Sequence, residues 1–283
     1  MRRLLLGCLL FHLICRPLSA QQILMNDNSE RNFALEVKQM DEFFERFNND
    51  KNTLLRTYIR KKYPTVRIDR LTLLKSLFNQ ENKNWNIADL NAFYRKVNDS
   101  LHPVYLDFNR SDWYASVLCR FIYKGKPINL RMTLNIRQSG NGGLSWIISG
   151  AFSPTLQHEA GGVSKAPAIA KGRKFLNPIS HATDFIGLSK VMSDPKNIND
   201  YLDSSFYRKP YSLDFLNSLK HNELRFEYVL HITYYFFQVK DWVFTVNHYQ
   251  RNSTNSGWLI SRLMKASDDE KKIYKTRLYQ DSF

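Results

Sequence analysis

Cysteine is nearly absent: three occur in 283 residues, and two of them, Cys8 and Cys15, sit in the first twenty. If that stretch is removed, Cys119 stands alone and an intramolecular disulfide is excluded. Stability then rests on core burial, and a chain of roughly 260 residues hides about three-quarters of its unfolded surface without a staple. Catalytic signatures are missing too. No G-x-S-x-G, H-E-x-x-H, phosphate-binding Walker loop or C-x-x-C occurs, which removes the simplest hydrolase, zinc-protease, nucleotide and redox readings. No cofactor and no metal is expected. Carboxylates are scarce: 26 acids face 41 Lys and Arg, giving +15. Such an excess favours anionic partners such as acidic polysaccharide, cell-wall polymer or phospholipid head groups.

The first twenty residues account for part of the charge and set a destination. Arg2 and Arg3 precede an apolar run from Leu4 to Ile14, and Leu18-Ser19-Ala20 presents small residues before Gln21. Charged start, short apolar centre and small-residue site make a secretory leader, cleaved between Ala20 and Gln21. The apolar centre is too short to anchor in a bilayer, which takes roughly 20 residues. Pro17 ends any helix there early. The expected product is exported, periplasmic or extracellular, with no transmembrane segment after cleavage. Removing the leader's three arginines, Arg2, Arg3 and Arg16, from +15 leaves +12. Export makes nucleic acid an unexpected partner; a small molecule, a glycan or an envelope protein fits better. The sequons at Asn98, Asn109 and Asn252 are no more than chance in a chain so rich in Asn and Ser.

Two passages share one order, helices followed by three strands. Ser29 opens a stripe of Phe33, Val37, Met40, Phe44 and Phe47 at helical spacing, which predicts one helix. A second runs through Leu54, Leu55, Tyr58 and Ile59 and stops before Pro64. Asp69 caps a third bearing Leu71, Leu74, Leu77 and Phe78. Asn86, with Asp89 three residues on, opens a fourth through Leu90, Phe93 and Val97. From Trp113 the period becomes alternating. Strands are predicted near 113–123, 128–137 and 144–152, with Cys119 in the buried register as a small core residue. An aperiodic stretch from Ser153 to Pro178 reads as a flap or as disorder. Helices resume from Ala182 to Met192 and after Ser212. A second trio of strands is expected near 224–239, 242–251 and 258–266, and the charged tail after Ser267 reads as a fraying end or short surface helix. The alternation within 224–239 puts Phe226, Tyr228, Leu230, Ile232, Tyr234 and Phe236 on one side, as in a strand covered on both faces or the wall of a cavity.

Segregated helices and strands argue for an α+β fold, with residues 21–100 as a helical region and 101–283 as the sheet region of one compact unit. Helices packed on a curved antiparallel sheet of two three-stranded meanders resemble the cystatin-like superfamily, including nuclear-transport-factor-2-like domains. The order also resembles exported proteins of Gram-negative bacteria that carry Gln after the leader. The likeness spans residues 100–266 and rests on element order. Such domains range from enzymes with a polar pocket to pure binding modules, so it implies a fold and leaves function open.

Four constellations are candidates. His181 and Asp184 are three apart at a helix start, where a carboxylate can orient an imidazole; the plain alternative is a helix N-terminus capped by Ser180 or Thr183. These two would carry a hydrolase or isomerase alternative. His158-Glu159 sit in the long loop, where lids are found, or simply on an exposed turn. On the second meander His231 and Thr233 share one face of a strand, and Thr245, Asn247 and Tyr249 one face of the next, with Ser261 on the third. This set is the preferred ligand-binding site, either in a pocket or on a wet outer face; His248, in the opposite register, reads as a core or edge residue. Last, Arg120, Arg131 and Arg137, with Lys124, could form a cationic patch for carboxylates or phosphates or merely guard a strand edge. The choice is an exported binding or interaction protein rather than an enzyme.

Overall fold

The computed structural model describes residues 31–32, 34–138, 144–156, 176, 186–209, 211–251 and 255–279. The predicted sites His181, Asp184, His158 and Glu159 lie outside these residues, as do the leader and most of the 153–178 stretch.

Four helices precede the sheet: α1 (Met40–Phe47), α2 (Leu54–Lys62), α3 (Arg70–Ser76) and α4 (Ile87–Val97). Three begin where a short polar side chain satisfies an orphan backbone N–H: Thr53 accepts from Arg56, Asp69 from Thr72 and Asn86 from Asp89. The stripe from Phe33 to Phe47 is not one helix, contrary to its spacing. Val37 instead makes a parallel bridge to Gly257, donating to the Ser256 carbonyl at 3.1 Å and accepting from Trp258 at 2.8 Å. A strand edge needed a backbone partner, and that long-range demand overrides local periodicity. Gly257 has φ +84°, and a Cβ there would stand 2.1 Å from the Val37 carbonyl oxygen.

The strands are β1 (Trp113–Tyr123), β2 (Lys126–Gln138), β3 (Leu144–Phe152), β4 (Leu224–Phe236), β5 (Trp242–Tyr249) and β6 (Gly257–Lys265). Between the trios come α5 (Ile186–Met192), 3₁₀ turns at Pro195–Tyr201 and Phe206–Arg208, and α6 (Ser212–Lys220). The fold is α+β. Its single antiparallel sheet has the order β3-β2-β1-β4-β5-β6 and does not close into a barrel, so the two meanders meet back to back through β1 and β4. Lys124 and Gly125 join β1 to β2 with φ of 47° and 81°, the geometry a two-residue hairpin needs to match strand twist. Both outer edges are covered: β6 by Val37 and Phe78, β3 by Leu176 and Leu202.

One face of the sheet holds the main core. Trp113, Val117, Cys119 and Phe121 of β1 are fully buried with Leu130, Met132 and Leu134 of β2, as the alternation predicts. The helices reach across to the other meander. Phe43 and Phe47 of α1 pack on Phe236 and Phe244, and Phe93 of α4 on Trp242; Phe215 of α6 meets Phe121 of β1.

β4 departs from its predicted alternation. Its pairing with β1 slips at Leu118/Cys119 and again at Arg120/Phe121, which leaves Leu230 and Glu227 as extra residues. Each such bulge flips the side-chain phase. Phe226, Val229 and Ile232 therefore face inward, while Tyr228 is 52% and Leu230 40% exposed. The strand is central in order yet open to solvent at its first half.

The opposite face is partly roofed by the tail. Ser267 and Glu270 form a capping box that starts α7 (Asp268–Arg277), and Lys271 donates to the carbonyls of Phe237 at 3.1 Å and Val239 at 2.7 Å. Leu278 joins Phe237 and Val243, Tyr279 lies against Gly150, and Thr133 donates to the Leu278 carbonyl at 2.7 Å. The predicted fraying tail is a docked helix, held by a lysine whose charge had marked it as surface.

Two further cations are buried. Arg46 donates to the carbonyls of Ala34, Leu35 and Glu36 at 2.7–3.0 Å, and burial lowers its pKa to about 10. Arg70 reaches the carbonyls of Phe47, Val97 and Val104, so one guanidinium caps the ends of both α1 and α4. A cation at two helix C-termini complements both dipoles.

Candidate functional site

Where α7 leaves the outer face uncovered, a groove of about 470 Å³ opens. Its position follows from the strand pairing. β4 and β5 pair only over Thr233–Phe236 and Phe244–Asn247. Past that point β4 keeps β1 while β5 keeps β6, and the sheet forks. Asn247 sits at the fork: its side-chain Nδ2 donates to the Ile232 carbonyl at 3.3 Å, standing in for the next backbone rung.

Two rows of side chains cross the floor. Thr133, Ser116, Thr233 and Asn247 are successive partners across β2, β1, β4 and β5, and Arg131, Leu118 and His231 form the row beside them. The predicted set of His231, Thr233, Thr245, Asn247, Tyr249 and Ser261 thus comes together in one groove. It lies on the outer face, away from the aromatic core.

The hydrogen bonds form a directed chain. Thr245 Oγ1 and Ser261 Oγ are 2.8 Å apart, and Ser261 donates in turn to Asn247 Oδ1. Asn247 Nδ2 then faces Thr233 Oγ1 at 2.8 Å and His231 Nε2 at 2.7 Å. An amide nitrogen has no lone pair to offer, so His231 Nε2 must accept and the ring proton sits on Nδ1. Partial burial, with the Arg131 charge adding, holds the imidazole below its usual pKa, in line with that tautomer. What remains facing the groove are donors: His231 Nδ1–H and the Thr233 hydroxyl proton. Arg131 and Arg262 add positive charge on either side of Tyr235, opposing the burial that raises its phenol pKa. No lining residue is acidic.

At the groove's end the Arg251 guanidinium lies 4.5 Å from the Tyr249 ring centroid and pairs with Glu81 at 3.1 Å, fixing the ring. His248 is half-buried, with its ring edge-on to Trp258 at 5.2 Å, and burial lowers its pKa; it borders the groove as well.

The arginine trio is split. Arg131 lines the groove, opposite Leu118. Arg120 stands opposite Asn129 and Tyr228, and Arg137, six residues further along β2, pairs with Asp203 at 3.0 Å in a separate hollow. Lys124 meets Glu223 at 3.5 Å. Cys119 is buried and its thiol pKa is driven far up by burial, which makes it inert. Among the described residues no three His, Cys, Asp or Glu side chains gather as a metal set, and no helix is long and apolar enough to cross a membrane.

Sequence reasoning missed Ser116, Leu118 and Arg262. Ser116 and Leu118 arrive through the β1–β4 pairing, and Arg262 reaches Thr245 through a slip in the β5–β6 register. Only the small polar Ser116 within an apolar strand was a readable signal. Comparison with known protein families, curated proteins and solved structures finds no match for this chain.

Proposed function

We infer that the chain is an exported binding protein of the bacterial envelope, one that holds an anionic, acceptor-rich ligand of the acidic-saccharide class and does not transform it. The observation that carries this is the groove's polarity of a second kind: it offers N–H and O–H donors and two guanidinium groups, and no carboxylate. Hydroxyl-bearing ligands with an acidic group satisfy such a surface, because charge-assisted bonds to Arg are about twice as strong as neutral ones. Tyr249, held by Arg251, offers a flat apolar face for a sugar ring. Export is read from the leader, and the cystatin-like likeness belongs to the same proposal, supported by helices packed on one face of an antiparallel sheet.

Isothermal titration with a uronic-acid oligosaccharide and its neutral counterpart tests the reading. The acidic ligand should bind at least about tenfold more tightly, and Arg262→Gln should erase that preference while Tyr249→Ala weakens both. Equal affinity for the neutral sugar, or steady product formation by pure protein, would refute it.

A further inference from the structure

A second anion site lies far from the groove in sequence and does not rest on it. From Lys51 to Ile68 the chain carries six cations and no carboxylate. Four of them, Lys51, Arg56, Arg60 and Arg67, line a hollow of about 400 Å³ formed by α2 and the loop that follows. The remaining lining is apolar: Ile59, Pro64, Val66 and Ile68.

The acids nearest in sequence are already engaged. Asp50 accepts from Asn52 at 2.7 Å and Asp69 from Thr72 at 2.8 Å, each from a backbone N–H. None of the four cations forms an ion pair. Arg56 is the fixed wall, donating to the Ile68 carbonyl at 2.8 Å and to Asn49 Oδ1. Its Nε is buried with no partner, an orphan donor of the kind that calls for an explanation. Arg60 makes only one long contact, 3.4 Å to the Lys51 carbonyl, and is exposed with Arg67 and Lys51. Like charges gathered without counter-charge raise the free energy of the empty site and lower it on binding an anion.

The loop also exposes apolar surface. Tyr63 is 55% and Val66 52% exposed, beside cations that have no counter-charge. An aromatic ring and apolar side chains among exposed basic groups make the composition of a surface that settles into the headgroup layer of a bilayer. A soluble polyanion would gain nothing from Tyr63 and Val66. We propose that this hollow binds the phosphate of an anionic phospholipid headgroup, seating the protein on a negatively charged membrane surface with Tyr63 and Val66 at the interface.

Co-sedimentation of the full chain with phosphatidylcholine vesicles, with and without phosphatidylglycerol, tests this. Binding should require phosphatidylglycerol and should weaken as salt rises, since exposed charges are screened over about 8–10 Å. The double substitution Arg60→Gln with Arg67→Gln should reduce binding roughly thirtyfold, in a chain of unchanged melting temperature. Lys51→Gln, at a third exposed position, should lose about fivefold alone, and Tyr63→Ser should weaken binding without altering its salt dependence. The leader is common to every variant, so its own lipid affinity cancels. Equal binding to pure phosphatidylcholine, or unchanged binding by the folded double variant, overturns the proposal. So does a rise in melting temperature with inorganic phosphate while vesicles fail to bind, which would identify the free ion as the ligand.

Discussion

Replacing Asn247 by Asp should invert the proton preference of His231. In the wild-type protein Asn247 Nδ2 presents a donor 2.7 Å from His231 Nε2, so a proton on Nε2 would meet another N–H. Partial burial and Arg131 push in the same direction, and the imidazole is held low. A carboxylate in place of the amide leaves most of the network intact: Ser261 still donates to Oδ1, and the Thr233 hydroxyl turns to donate to the second oxygen. His231 alone must change, by taking a proton on Nε2. An opposite charge at this range raises a group's proton affinity by roughly ten- to a thousandfold. The midpoint should therefore move from below about 6.5 in the wild type to above it in the variant. The stability profile should reverse with it. A depressed histidine contributes fully above the unfolded value and loses its contribution as pH falls through the folded one. A raised histidine contributes fully below the unfolded value and loses it as pH rises. An NMR titration of the His Cε1–H signals, assigned with a His231→Gln control, reads the midpoint, and melting curves from pH 5 to 8 read the slope. If His231 titrates at the same pH in both proteins, or lower in the variant, the directed chain ending on Nε2 is wrong.

Two predictions concern the frame that holds the site. Arg70→Met strips three buried carbonyls of their cation, and breaking such an arrangement costs about 3–5 kcal/mol; the melting temperature should fall by roughly 6–20 °C, with a drop under 2 °C contradicting the double-cap reading. Gly257→Ala forces a left-handed φ and a Cβ into the Val37 carbonyl, so urea unfolding should show a loss of at least about 2 kcal/mol, and an unchanged midpoint would mean that the Val37 bridge is not made.

Much of this molecule could be read from its residues, and the failures share a cause. Caps are local, so Asp69 and Asn86 announced helices that begin where they should. Alternation is local as well, and β1 and β2 bury the side it indicates. Nothing local reveals that Leu230 and Glu227 are surplus residues against β1, so the phase of β4 was mistaken. The same holds for Val37, whose partner Gly257 lies more than two hundred positions away. Arg46, Arg70 and Lys271 are buried against backbone carbonyls, a fate that charge alone argues against. In the groove, in-phase polar residues within single strands identified Thr233, Thr245 and Asn247. The neighbours that β1 and the slipped β6 contribute depend on which strands lie side by side, and one sequence does not state that order.

The exchange of helices between the two meanders has a consequence for taking the chain apart. The N-terminal helices rest their aromatic side chains on β4 and β5, which are made more than a hundred residues later, while α6 rests on β1, made about ninety residues before it. Neither half carries its own lid. A cut near residue 110 would leave helices without a floor and a floor without its helices, so neither piece should survive alone. Unfolding should then be a single transition, because loosening one set of helices bares the meander that the other half needs.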